Sequence, residues 1–134
     1  MKADDVINAV KDGFAKEGNP AEVPLVKGGN FTAQIIEGGI IVSNLGNDGF
    51  LPWNVFSTVI ELLEKNNGRA VRGDAMNCRL GDPGLPIDSV EGVIALKVYG
   101  KEEGDSVFRR ITPVACLLIW ANLCTHEPGQ LVLL

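Results

Sequence analysis

Most of the residues and motifs that announce a chemistry are scarce or missing in this sequence. There is one histidine, His126, and there are three cysteines, Cys78, Cys116 and Cys124. An odd number of cysteines at uneven spacing argues against a disulfide framework and fits a reducing compartment. Zinc takes thiolate and imidazole ligands tetrahedrally, yet no CxxC pair is present, and Cys124-Thr125-His126 is the one close Cys/His pairing. No metal site is therefore expected, and the cysteines read as small core hydrophobes. The patterns GxxxxGK[ST], GxGxxG, HExxH and GxSxG do not occur. Phosphate loops, dinucleotide fingerprints, zinc proteases and nucleophile elbows are thereby removed, and no cofactor is expected. The glycine-rich pieces GGNF, EGGI and LGNDG are left as turn material. In the last of these Asn47 and Asp48 are adjacent, not alternate as a calcium loop requires.

Long apolar runs and basic charge are also lacking. The longest candidate, PVACLLIWA, has nine residues. A helix of about 12 residues is about 18 Å long, against a hydrocarbon core of about 30 Å, so it does not span a membrane. No secretory signal is visible in MKADDVINAV, which makes the cytoplasm the expected location. The net charge of −5 speaks against a general polyanion binder.

What is present is the material of one ordinary α+β domain over residues 1–134. Val6, Val10 and Phe14 recur at helical spacing, predicting an N-terminal helix within residues 1–18 that packs as an outer arm. Residues 19–30, with two prolines and two glycines, read as an extended linker to a body of 31–134. Two β-branched runs flank Glu37-Gly38-Gly39 and predict a hairpin. LGNDGFLP reads as a loop. WNVFSTVIELLEKNNG is the clearest helix, with Phe56, Val59, Ile60 and Leu63 on its apolar face and Gly68 suited to follow its end. RAVR reads as a short strand, and residues 73–88 as irregular with one helical turn after Asp74. The β-favouring residues of 92–99 predict a second hairpin against 106–111; a helix from Asp88 to Tyr99, capped by Asp88 or Ser89, is the rival. Thr112 as N-cap and Pro113 as first helical residue predict a helix over 113–124. GQLVLL closes the chain as a strand. The expected fold is an antiparallel sheet of hairpins packed against the 53–66 and 113–124 helices.

The 113–124 helix is apolar on nearly every face and must be covered on nearly every face. Either it lies centrally between sheet and helices, or it makes a subunit interface. The apolar tail Leu131–Leu134 favours the second, so a homo-oligomer through this helix and the tail is expected.

The richest polar stretch runs from Arg69 to Glu91. Arg72, Asp74, Asp88 and Glu91, with Arg109 and Arg110 further on, are the candidate site residues. Neighbouring strand residues point to opposite faces, so one of Arg109 and Arg110 should point towards apolar company. A buried guanidinium needs a partner. That partner is either one of the chain's own acids, giving an internal Arg–carboxylate network, or the carboxylate or phosphate of a small anionic ligand.

About half the chain also resembles a winged helix-turn-helix in element order and spacing. In that arrangement 53–66 is the first helix, RAVR the short strand, 74–81 the second helix, 88–99 the reading helix and YGKEEGDSVFRRITP the wing. The resemblance implies a nucleic-acid partner. The charges oppose it: from Gly68 to Thr112 seven basic residues meet seven acidic ones, and the wing tip is Glu102-Glu103. The function expected from the sequence is a non-catalytic, soluble binding or protein-interaction module. A small-molecule enzyme or an anion binder using the arginine/carboxylate cluster comes second, and a winged-helix regulator third.

Overall fold

A computed structural model describes residues 1–134. It is an α+β fold with two antiparallel sheets. Helix α1 (Ala3–Glu17) buries Val6, Val10 and Phe14. It is not an outer arm, because these three side chains belong to the main core, and α1 packs against a later helix. The stretch read as a linker contains strand β1 (Ala21–Pro24), paired antiparallel with β2 (Asn30–Ile36). Pro24 is tolerated because β1 is an edge strand, where one face of the ladder needs no donor. The β2–β3 hairpin forms as expected, with β3 spanning Gly39–Val42 and Ile36 opposite Gly39 across the turn residues Glu37-Gly38. Gly38 takes a φ of 85° there, a conformation that glycine supplies without steric cost.

The segment read as a plain loop holds a short 3-10 stretch (Ser43–Asp48) and strand β4 (Phe50–Pro52), which completes the sheet order β1-β2-β3-β4. Helix α2 (Trp53–Lys65) follows and buries Val55, Phe56, Val59, Ile60, Leu62 and Leu63. It stops at Asn67, whose φ is 58°, with the Gly68 N–H bonded to the Leu63 carbonyl at 2.7 Å. That bond satisfies an end carbonyl in the manner of a Schellman cap, with asparagine rather than glycine in the left-handed position.

Strand β5 (Arg69–Val71) pairs with the C-terminal strand. Residues 72–89 are irregular, held by a small apolar cluster of Leu80, Leu85, Ala95 and Val107. One turn follows Asp74, where the Cys78 N–H reaches the Asp74 carbonyl at 3.2 Å. The second hairpin does not form; the rival helix does. Helix α3 (Val90–Val93) runs on as a π-helical stretch, Ile94–Val98. Val90, Val93 and Ile94 are buried together at helical spacing, and that burial overrides their β preference. Ser89 is the cap: its Oγ accepts from the Gly92 N–H at 3.0 Å and donates to the Pro86 carbonyl at 2.6 Å.

Helix α4 spans Ile111–Trp120, beginning earlier and ending earlier than its sequence predicts. Asn122, with φ 62°, ends it as Asn67 ends α2, and the Leu123 N–H closes back on the Leu118 carbonyl at 3.0 Å. This early stop leaves room for β6 (Cys124–Glu127), which pairs with β7 (Gln130–Leu133) to give the order β5-β7-β6. Seven of the ten α4 residues are buried. The chain covers them itself, with β1, α1, α2 and β6 around the helix. The central position is thus the one taken, and neither α4 nor Leu131 (1% exposed) needs a second subunit to shield it. No helix is long and apolar enough to cross a membrane.

From α2 onwards the element order is α2-β5-α3-α4-β6-β7, with sheet order β5-β7-β6. The parts differ from those expected. Residues 74–81 are not a helix, α3 takes second place, and α4 stands where the reading helix would be. The hairpin turn at Pro128-Gly129, not residues 99–113, occupies the wing position. A reading helix must offer polar side chains to base edges, whereas α4 is buried beneath β1 and α1.

The α3 start is a tight fit. A Cβ on Gly92 would run into the Pro86 carbonyl oxygen and come within 2.8 Å of Ser89 Oγ. Gly92→Ala should lower unfolding free energy by about 1–3 kcal/mol. In urea titration this should appear as an earlier midpoint with an unchanged slope.

Candidate anion-binding site

Arg72 follows β5 directly. Its N–H bonds the Gly129 carbonyl at 3.0 Å, and its own carbonyl accepts from the Glu91 N–H at 2.9 Å. The chain then swings away at Gly73, φ 88°, where a Cβ would sit 2.7 Å from Ser89 Oγ. Backbone bonds on both sides therefore fix the position from which the Arg72 side chain projects.

Glu91 lies in the interior, 0% exposed. Its carboxylate accepts the Arg110 N–H at 2.8 Å and the Ile111 N–H at 3.0 Å. These are the N-cap and first donors of α4, two of the four that a helix leaves without internal partners. Pro113 has no N–H to satisfy, so only that of Thr112 is left over. The expected Thr112 cap is thereby replaced by a carboxylate 20 residues upstream in sequence. Burial pushes the Glu91 carboxyl above the ordinary carboxylate range. The two N–H groups and the charges of Arg110 and Arg109 pull the other way, but loss of water outweighs them.

The expected Arg–carboxylate network is absent. Three ion pairs exist in the chain, Met1 with Glu64, Lys65 with Glu61, and Arg69 with Glu127, and none involves Arg72, Arg109 or Arg110. The acids of the irregular region instead satisfy backbone donors. Asp74 Oδ1 accepts from the N–H groups of Met76 and Asn77, both at 3.1 Å, and Oδ2 accepts from Asn77 Nδ2 at 3.0 Å. These bonds, led by the Asn77 side chain, hold the Asp74 carboxyl below its usual range. Asp82 takes the Arg79 N–H at 2.7 Å, and Asp105 takes that of Glu102 at 2.8 Å.

Arg72 and Arg109 are thereby left together without an ionic partner. They line a groove of about 550 Å³. Lys27, from the β1–β2 turn, is the third cation there, and no acidic residue lines the groove. Asn44 and Thr112 add polar groups, while Leu25, Val26 and Leu45 give it an apolar side. Cys116 sits at the groove as a buried thiol pushed up by its burial, against the pull of the Val26 N–H and the Arg72 charge. A smaller cleft of about 260 Å³ shares Arg72 and Arg109 and adds Asp74, Met76 and Ile111. Arg109 Nη1 lies 3.1 Å from Met76 Sδ at that side.

Of the six sequence-predicted site residues, Arg72, Asp74 and Arg109 meet around these two depressions, with Glu91 beneath them. Arg110 faces elsewhere, although residues 106–110 form no strand. Its guanidinium carbon lies 3.5 Å from the Tyr99 ring centroid and 4.8 Å from that of Phe108. The half-buried arginine thus has aromatic faces for a partner. Tyr99 Oη and Arg110 Nε are both buried there without hydrogen bonds. Asp88 is exposed and lines neither depression. Sequence reasoning missed Lys27, Asn44 and Leu45, because turn residues 27 or more positions from Arg72 and 64 or more from Arg109 carry no spacing signal. It treated Thr112 and Cys116 as a cap and a core residue.

No protein-family model matches the chain, and neither a curated protein nor a solved structure matches it at a significant level.

Glu91→Ala leaves two backbone donors at the α4 start without an acceptor and should cost about 2–5 kcal/mol in chemical denaturation. Glu91→Gln, which keeps one acceptor oxygen, should cost less. The folded carboxyl holds its proton to higher pH than the unfolded one, whose ordinary value is 4.5. Its contribution is therefore most favourable at low pH and declines as pH rises through the raised folded value. Above about pH 4.5, stability of the wild type relative to Glu91→Gln should fall with rising pH until the folded carboxyl has ionised.

Proposed function

We propose that the protein is a non-catalytic binding module for an anionic small molecule, held in the groove between the β1–β2 turn and the start of α4. One observation carries this reading: Lys27, Arg72 and Arg109 surround a single groove with no acid in its lining, in a chain whose net charge is −5. Guanidinium groups that lack a carboxylate partner inside the fold present the fork that matches carboxylate and phosphate oxygens. The volume falls in the range of small-molecule sites. The non-catalytic character rests on the lining. The groove holds no carboxylate or imidazole to move a proton, and its thiol is held towards the protonated, unreactive form.

Calorimetric titration with citrate and with inorganic phosphate at low ionic strength tests this. Arg72→Ala and Arg109→Ala should each weaken binding tenfold or more, with stability within about 0.5 kcal/mol of wild type for the exposed Arg109. Arg110→Ala should do the reverse, losing about 0.5–2 kcal/mol of stability with the aromatic stack and leaving anion affinity unchanged. Binding that is insensitive to Arg72 and Arg109 would refute the assignment.

A further inference from the structure

Resting on that reading, we infer that the groove selects a phosphate monoester of a small molecule with an apolar body over a simple carboxylate. Charge count is the first argument. Lys27, Arg72 and Arg109 supply three positive charges to the larger groove with none negative. A carboxylate ion would neutralise one of them. A phosphate monoester carries about 1.5 to 2 negative charges at neutral pH and three acceptor oxygens. Two arginine forks and Thr112, all in the groove lining, offer donors for that number of oxygens.

Placement is the second argument. Arg72 and Arg109 are shared by both depressions, so they form the boundary between them. On the smaller side stands Asp74, whose carboxyl is held below its usual range and so is ionised at neutral pH. A second anionic group is repelled from that side. The phosphoryl group therefore sits at the arginine boundary and the remainder of the ligand extends into the larger groove. There Leu25, Val26 and Leu45 provide apolar surface and Asn44 a polar contact. The groove volume of about 550 Å³ leaves room for a ring-sized body beyond the phosphoryl group.

Four probes test this by calorimetry on the intact chain: phenyl phosphate, inorganic phosphate, benzoate and a short phosphotyrosine peptide. Phenyl phosphate should bind at least tenfold more tightly than benzoate at pH 7.5. Its advantage should shrink as pH is lowered past the second phosphate ionisation near 6. It should also exceed inorganic phosphate, and that margin should fall in Leu45→Ser, which changes only a half-exposed groove residue. Lys27→Ala, at an exposed turn, should weaken phenyl phosphate more than benzoate. Benzoate binding as tightly as phenyl phosphate, with Arg109→Ala weakening both, would overturn the phosphate preference and leave the anion-binding reading standing. Equal binding of phenyl and inorganic phosphate would overturn the apolar body. A phosphopeptide that binds tenfold more tightly than phenyl phosphate would overturn the small-molecule ligand in favour of a phosphorylated protein. Failure of all four probes and of citrate would remove both readings together.

Discussion

The arrangement of the C-terminal half depends on one buried carboxylate. Glu91 stands at the start of α3, accepts the Arg110 and Ile111 N–H groups at the start of α4, and gives its own N–H to the carbonyl of Arg72 at the end of β5. One residue therefore fixes the relation of a strand end and two helix starts. The opposing forces are large. Burial disfavours the charge, and the two donors favour it. The positive end of the α4 dipole adds to the favourable side. Apolar packing could hold the two helices together, but it could not specify where α4 begins. A carboxylate between two N–H groups does so to within one residue.

That choice of start has consequences along the rest of the helix. With Ile111 as first residue, the apolar run from Pro113 to Leu118 is placed beneath β1, α1 and α2. The helix is short because Asn122 ends it, and the residues released become β6. The helix that would read a nucleic acid is the centre of the core, and the N-terminal sheet lies over it.

Much of the architecture was legible because it follows from local pattern. The 3.6-residue spacing in α1 and α2, the Glu37-Gly38 turn and the terminal strand each appear where the sequence predicts them. The errors have particular causes. Val90, Val93 and Ile94 read as strand residues because β-branched side chains favour strands, yet three buried contacts on one helical face outweigh that preference. Thr112-Pro113 resembles a helix start because both residues favour one, but the donors ahead of them were already met by Glu91, a partner invisible to any local rule. The candidate site was half legible. Arg72, Asp74 and Arg109 were found as a charged cluster, whereas Lys27 and Asn44 reach the groove only through the pairing of β1 with β2 and the 3-10 stretch after β3. The expected ion-pair network failed because Asp74, Asp82 and Asp105 lie in tight turns, where backbone donors are closer than any guanidinium.

The adjacency of Arg109 and Arg110 acquires a meaning from this. Arg110 has its N–H fixed by Glu91 and its side chain clamped over Tyr99, so the peptide unit that it shares with Arg109 is immobilised before any ligand arrives. The main-chain entropy of presenting Arg109 is lost during folding rather than during binding. An exposed arginine anchored in this way behaves less like a flexible surface tether than like a fitting on a rigid frame. That backbone anchor, the Arg110 N–H on Glu91, does not depend on the Arg110 side chain, and no part of Arg110 lines the groove.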